Sequence, residues 1–246
     1  MPTSRWQTRK YLLLDTSVIV DYYLPETSTS TSTPKRITNI IDSIRNKIAN
    51  IRIFVPNFCI VETYSVFAKW RFGERILPHG KPISKKRYDE VRRMFREDTH
   101  NGKIIEQYEL SRYHVIAADL ISVVDYHYQY FRRTKGSSKK SKFTSINVAD
   151  TLIGAMGIWL VKQHGQGNVA VVTADQRIDA IIGKAQRVSA TALKKLRLRE
   201  LAASIDLEYT PEIFPKVFYL EEASDNELRE FFGKWPLPVR QTELPV

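Results

Sequence analysis

Cys59 is the one cysteine in 246 residues. An intramolecular disulfide and a zinc site built from several thiolates are thereby excluded. Set among Phe58, Ile60 and Val61, Cys59 is expected to be a small core residue. No stretch reaches the roughly 20 apolar residues that span a bilayer. The amino end carries Arg5, Arg9 and Lys10, but the apolar run behind them is cut short by Asp15, which is not the pattern of a signal peptide. A cytoplasmic protein with no membrane partner is expected. Acid is in deficit as well: 27 Asp and Glu stand against 38 Lys and Arg, a net charge of +11. Such an excess suits a polyanionic partner, most often nucleic acid, although a basic surface kept for solubility gives the same composition.

What is present begins with apolar runs closed by acids. Tyr11 to Leu14 read as a buried strand that ends at Asp15, and a helix follows to about Leu24. The TSTSTSTP segment at 27–34 reads as a loop, and Ile37, Ile40, Ile41, Ile44 and Ile48 mark one face of a helix. Ile51, Ile53 and Val55 alternate as a second strand ending at Pro56, with Asn57 expected to cap a helix to about Phe72. Residues 84–131 suit two or three helices with a strand near 103–106. Asn147 starts a further helix, Val169 to Thr173 form a strand closed by Asp175, and a helix starts near Gln176. The tail from 184 is basic and mainly helical, with a strand at Val217 to Leu220 and a short helix from Asn226 to Phe232. This alternation argues for an α/β sandwich with a mostly parallel sheet.

In such a sheet Asp15, Glu62, Asp150 and Asp175 all fall at strand ends or helix starts, the side on which parallel sheets bind ligands. Taken singly, Asp15, Asp150 or Asp175 would be read as a helix cap. Together they repel: two carboxylates about 4 Å apart do so by about 4 kcal/mol at an effective dielectric of 20. A helix amino terminus offsets only about 0.3–1 kcal/mol per charge. A divalent cation settles the balance, and oxygen ligands without thiols or histidines favour Mg2+ or Mn2+ over zinc.

The segments LLLDTSVIVDYYL (12–24), VPNFCIVETYSVFA (55–68), NVADTLIGAMG (147–157) and VVTADQRIDAI (171–181) resemble, in order, the motifs of PIN-domain nucleases, a family that includes the VapC-type toxins. The resemblance spans roughly residues 11–182. It implies a three-layer α/β/α sandwich with a central parallel sheet, here a domain at 8–220 carrying a helical insertion at about 73–146, followed or completed by a basic extension at 184–246. It further implies a metal-dependent endoribonuclease in which Asp15 and Asp150 are the principal metal ligands and Glu62 and Asp175 the remaining acids, with Ser17 and Thr173 in support. The five histidines lie outside all four motifs, consistent with a metal-activated water rather than an imidazole base. The expected partners are RNA, an antitoxin protein if the chain is a toxin, and a second copy of the chain. An RNA-processing or quality-control nuclease and a non-catalytic RNA-binding protein remain alternatives. A haloacid-dehalogenase-like phosphatase is disfavoured, because Asp15 is followed by Thr16-Ser17 and not by an aspartate two residues on.

Other candidates rank lower. The acid-free stretch with Arg132, Arg133, Lys135, Lys139, Lys140 and Lys142 is expected to be an exposed loop that contacts phosphates. Tyr126, Tyr128, Tyr130 and Phe131 beside it suit base stacking or helix packing. Asp119 and Asp125 are assigned to a solvated helix face, and His127 to an aromatic surface. Asp21 and Asp179, close in sequence to motif acids, are weak candidates for a supporting role, while Tyr22 and Tyr23 suit either packing or the rim of the site.

Overall fold

The computed structural model describes residues 8–47, 49–77, 80–100, 104–134 and 146–238, the side chains of 130–134 excepted. Strands β1 (Lys10–Leu14), β2 (Ile51–Pro56), β3 (Ile105–Tyr108), β4 (Val169–Thr173) and β5 (Lys216–Tyr219) form one parallel sheet in the order β3-β2-β1-β4-β5. Lys10 pairs with Ile51 between β1 and β2, and Ile53 with Ile105 between β2 and β3. Burial explains the order. Leu12, Leu13 and Leu14 are fully buried, as is every residue of β4, so these inner strands are unbroken apolar runs. The outer strands β3 and β5 leave most positions partly exposed and carry Glu106, Gln107 and Lys216, as suits a sheet edge. The chain lays β1, β2 and β3 outward, then returns to place β4 on the other side of β1. Strand order reverses there, and parallel α/β sheets open their ligand crevice at such a reversal, beyond the strands' carboxyl ends.

Two compact units divide the chain. The first is Met1–Tyr108 with Val172–Ala174 and Tyr219–Val246. It contains α1 (Thr16–Tyr23), α2 (Ser32–Arg45), α3 (Asn57–Phe72) and α4 (Lys85–His100). Its aromatic core sets the Tyr23 ring edge-on to Phe67 and Phe95, while the Tyr23 hydroxyl donates to buried Asp98 at 2.6 Å. Arg45 pairs with the same Asp98 and also donates to the Tyr22 hydroxyl at 3.1 Å, so both tyrosines pack helices together. The carboxyl-terminal segment closes this unit. The Asn39 side chain bonds Leu237 N and O at 2.8 and 3.0 Å, and Arg36 donates to Leu220 O at 2.6 Å.

Helix α2 starts earlier than its isoleucine pattern suggests, because Ser30 Oγ accepts from the N–H groups of Ser32 and Thr33. Asn57, expected as a cap, is instead the first residue of α3, with Pro56 before it and its own Oδ1 accepting from Phe58 N. Cys59 is fully buried, as expected, and burial pushes its thiol well above the ordinary range.

The second unit, Glu109–Val171 with Asp175–Phe218, contains α5 (Arg112–Thr134), α6 (Val148–His164), α7 (Gln176–Gln186), α8 (Ala190–Lys195) and α9 (Leu198–Ala203). One further helix, α10 (Asp225–Phe232), belongs to the first unit and opens with a capping box between Ser224 and Glu227. In the second unit Trp159 of α6 stacks on Tyr113 of α5 with ring centroids 4.6 Å apart. A Cβ on Gly157 would stand 2.7 Å from Pro215 Cγ and 3.1 Å from Val171 Cγ2, so α6 approaches β4 and the Pro215 ring too closely for alanine.

Gly157→Ala should therefore lower the unfolding free energy by about 1–3 kcal/mol in a urea titration. Gly154→Ala should be milder, because the nearest atom to its Cβ is the end of the Ile121 side chain rather than a ring. The first unit offers a pH test. Burial, reinforced by Glu221, pushes Asp21 up to about 6 although Ser28 donates to it. An acid raised on folding favours the folded state most where it is protonated, and that advantage is lost as pH rises from the unfolded value through about 6. Asp21→Asn should stabilise the protein by about 1 kcal/mol at pH 8, allowing for solvent screening of a half-buried group, and have no effect below the ordinary carboxylate pKa of about 3.9.

Candidate functional site

Asp15 leaves β1 at the strand reversal: its backbone N–H donates to Val172 O of β4 at 3.0 Å, and it occupies the position before α1. Its side chain does not cap that helix. Ser17 Oγ donates to Asp15 Oδ2 at 2.6 Å and Thr173 Oγ1 donates to the same oxygen at 2.9 Å, so Oδ1 takes neither hydroxyl. Ser17 Oγ in turn accepts from Ala174 N at 2.9 Å, which ties the start of α1 to the end of β4. The carboxylate is 6% exposed, and burial raises its pKa against these hydroxyls, with Glu62 adding in the same direction. Glu62 is exposed on α3, and its Oε2 accepts from Thr16 Oγ1 at 2.7 Å. Asp15 and Glu62 are thus each held by a hydroxyl from the start of α1, Ser17 for one and Thr16 for the other. Neither takes part in any ion pair among the described residues.

In the second unit Asp150 and Asp175 form another pair. Asn147 caps α6 by accepting from Asp150 N at 2.7 Å, which fixes Asp150 in the first turn, and its side chain is buried. Asp175 does act as a cap: its Oδ1 accepts from Arg177 N at 2.8 Å. Arg177 then folds back over it. Nε lies 3.0 and 2.9 Å from the two Asp175 oxygens, and Nη2 donates to Oδ2. The same Nη2 lies 3.6 Å from Asp150 Oδ2. Arg177 holds the Asp175 carboxyl below its ordinary range, outweighing a burial that acts the other way.

The four acids of the sequence motifs are therefore seen as two pairs, one within each unit. Among the described residues no three His, Cys, Asp or Glu side chains are grouped as a set of metal ligands. The donor chemistry of the first pair fits a hard cation: oxygen atoms only, a buried carboxylate, and no ion-pair partner among the described residues. Thr16 and Arg177 were missed in the sequence. Thr16 was legible as a hydroxyl next to Asp15; Arg177 was legible as a cation two residues after a capping aspartate, within reach of its side chain.

Of the lower-ranked residues, Asp119 is exposed as expected. Asp125 is not on a solvated face. It is 7% exposed and accepts from Gln129 Nε2 at 2.6 Å and from Ile146 N at 3.2 Å, fastening the approach to α6 onto α5. Packing on more than one side of α5 overrides its amphipathic pattern. Asp21 sits with Ser28 and Glu221, and Asp179 is exposed in the first turn of α7. His127 packs edge-on to Tyr128 at 5.6 Å, and Tyr126 is exposed. Lys135, Lys139, Lys140 and Lys142 lie outside the described residues, as do the side chains of Arg132, Arg133, Tyr130 and Phe131.

No known protein-family model matches the chain, and no curated protein matches it. Among solved structures it is similar to VapBC2 from Rickettsia felis, crystallised with a DNA fragment from its promoter. The TM-score is 0.38 at 15% identity, over 70% of this chain and 92% of that chain. A similarity of that size carries no residue role across.

The two pairs differ in how their charge is met, so their variants should move stability in opposite directions. Burial disfavours the ionised form of Asp15, so Asp15→Asn should raise the unfolding free energy in EDTA. Asp175→Ala loses a cap and an Arg partner and should lower it by about 1–2 kcal/mol. Denaturant titration of both variants in EDTA reads the two signs, and a loss of stability in Asp15→Asn would make its carboxylate a structural need.

Proposed function

We propose that the chain is a metal-dependent endoribonuclease of the PIN type, in which Asp15, Glu62, Asp150 and Asp175 hold Mg2+ or Mn2+. The observation that carries this reading is Asp15: a buried carboxylate at the strand reversal, aligned by two hydroxyls on one oxygen and joined by no cation among the described ion pairs. A structural carboxylate at such a place is ordinarily paired or neutralised. The four motifs in their order support the assignment of the other three acids.

When bound, such an ion supplies a water of lowered pKa and screens the charge that builds on the phosphate. The residues of the chain do the rest. Ser17 and Thr173 hold Asp15 Oδ2 in place, which fixes the orientation of the carboxylate before any ligand arrives. Thr16 does the same for Glu62, and Asn147 sets the turn that carries Asp150. RNA as the substrate rests on the motif resemblance and on charge. No acid occurs between Asp179 and Glu200, and exposed Lys194 and Lys195 together with Lys184, which lies over the Tyr128 ring at 5.7 Å, offer phosphate and stacking contacts. An antitoxin protein belongs to this reading if the nuclease serves as a toxin.

Incubation of purified protein with single-stranded RNA should give cleavage with Mn2+ and none with EDTA. Asp15→Asn and Asp150→Asn should each reduce the rate at least 100-fold while circular dichroism stays that of the folded protein. Full cleavage by either variant, or undiminished cleavage in EDTA, overturns the proposal.

A further inference from the structure

Arg177 stands at the wrong end of its helix. It lies in the first turn of α7, where the helix dipole disfavours a cation. What holds it there is a pair of carboxylates: it donates to Asp175 through its backbone N–H, Nε and Nη2, and Nη2 is also 3.6 Å from Asp150 Oδ2. Two acids of separate motifs thus converge on a single nitrogen that carries positive charge. That nitrogen stands where a shared cation of these two acids would stand, and a guanidinium and a divalent ion drawn to the same place between two carboxylates repel each other. Mg2+ takes oxygen ligands at about 2.0–2.1 Å, so an ion shared by the two carboxylates would need the space this nitrogen fills. The Arg177 side chain is 38% exposed, so it has solvent to move into, whereas Asp150 is fixed and buried.

We infer that Arg177 is a resident counter-cation that competes with the divalent ion for Asp150 and Asp175. It offsets one of the pair's two negative charges while no ion is bound, weakens the repulsion between the two carboxylates, and moves aside when the ion enters. Arg177 is then a positioning residue that sets the metal concentration at which the site fills. This rests on the proposal above that Asp150 and Asp175 are metal ligands.

The test is Mn2+ binding to the metal-free full-length protein, followed by electron paramagnetic resonance of the free ion, for wild type, Arg177→Met and Arg177→Lys. Arg177→Met should bind Mn2+ about tenfold more tightly than wild type, or 1.4 kcal/mol. It should also melt at a lower temperature than wild type in EDTA and gain more from added Mn2+. Arg177→Lys, which keeps the charge but not the fork, should fall between them and serves if the methionine variant fails to fold. Equal or weaker Mn2+ binding by the folded variants overturns the competition and leaves the metal site standing, with Arg177 orienting Asp175. Absence of Mn2+ binding in all three proteins overturns the metal site itself, and this inference with it.

Discussion

The arrangement of charge in this protein turns on the desolvation of Asp15. The carboxylate must sit where β1 ends, because the strand before it is buried along three consecutive leucines and the backbone N–H of Asp15 is spent on β4. Two hydroxyls reduce the cost without removing it, since the pKa is still raised by burial. A fold that served stability alone would place an asparagine or a serine there. A carboxylate whose ionised form burial disfavours is what the proposed metal site requires there, since a bound cation would stabilise that form.

The second pair solves the same electrostatic problem from within. Asp150 and Asp175 share Arg177, which offsets one of their two negative charges. Asp15 and Glu62 are met by hydroxyl donors instead, with no ion pair among the described residues. In the proposed site, then, one pair already has a cation of the protein beside it and the other does not. The difference gives the hydroxyl residues Thr16, Ser17 and Thr173 a common purpose: each aligns a carboxylate without neutralising it.

Much of the fold was legible because β1 and β4 are apolar runs closed by an acid, and β2 alternates up to a proline. The parallel sheet, its five strands and the places of all four motif acids follow from those runs. Contacts made by side chains that reverse direction were not legible. Arg177 folding back over Asp175 leaves no periodic trace, and neither does Asn39 bonding both backbone groups of Leu237 across 198 positions. Asp125 misled for a related reason: helical periodicity marks one buried face, and α5 is packed on more than one. The basic tail hid its division between units, since charge reports what solvent sees and not which neighbours a helix buries against.

Crystals grown with Mn2+ and measured at a wavelength where manganese scatters anomalously test the central claim most directly. The account predicts an anomalous peak coordinated by Asp15 and by Asp150, with the Arg177 guanidinium drawn away from Asp150. A protein that takes up no manganese under these conditions, or that holds it on neither aspartate, contradicts it.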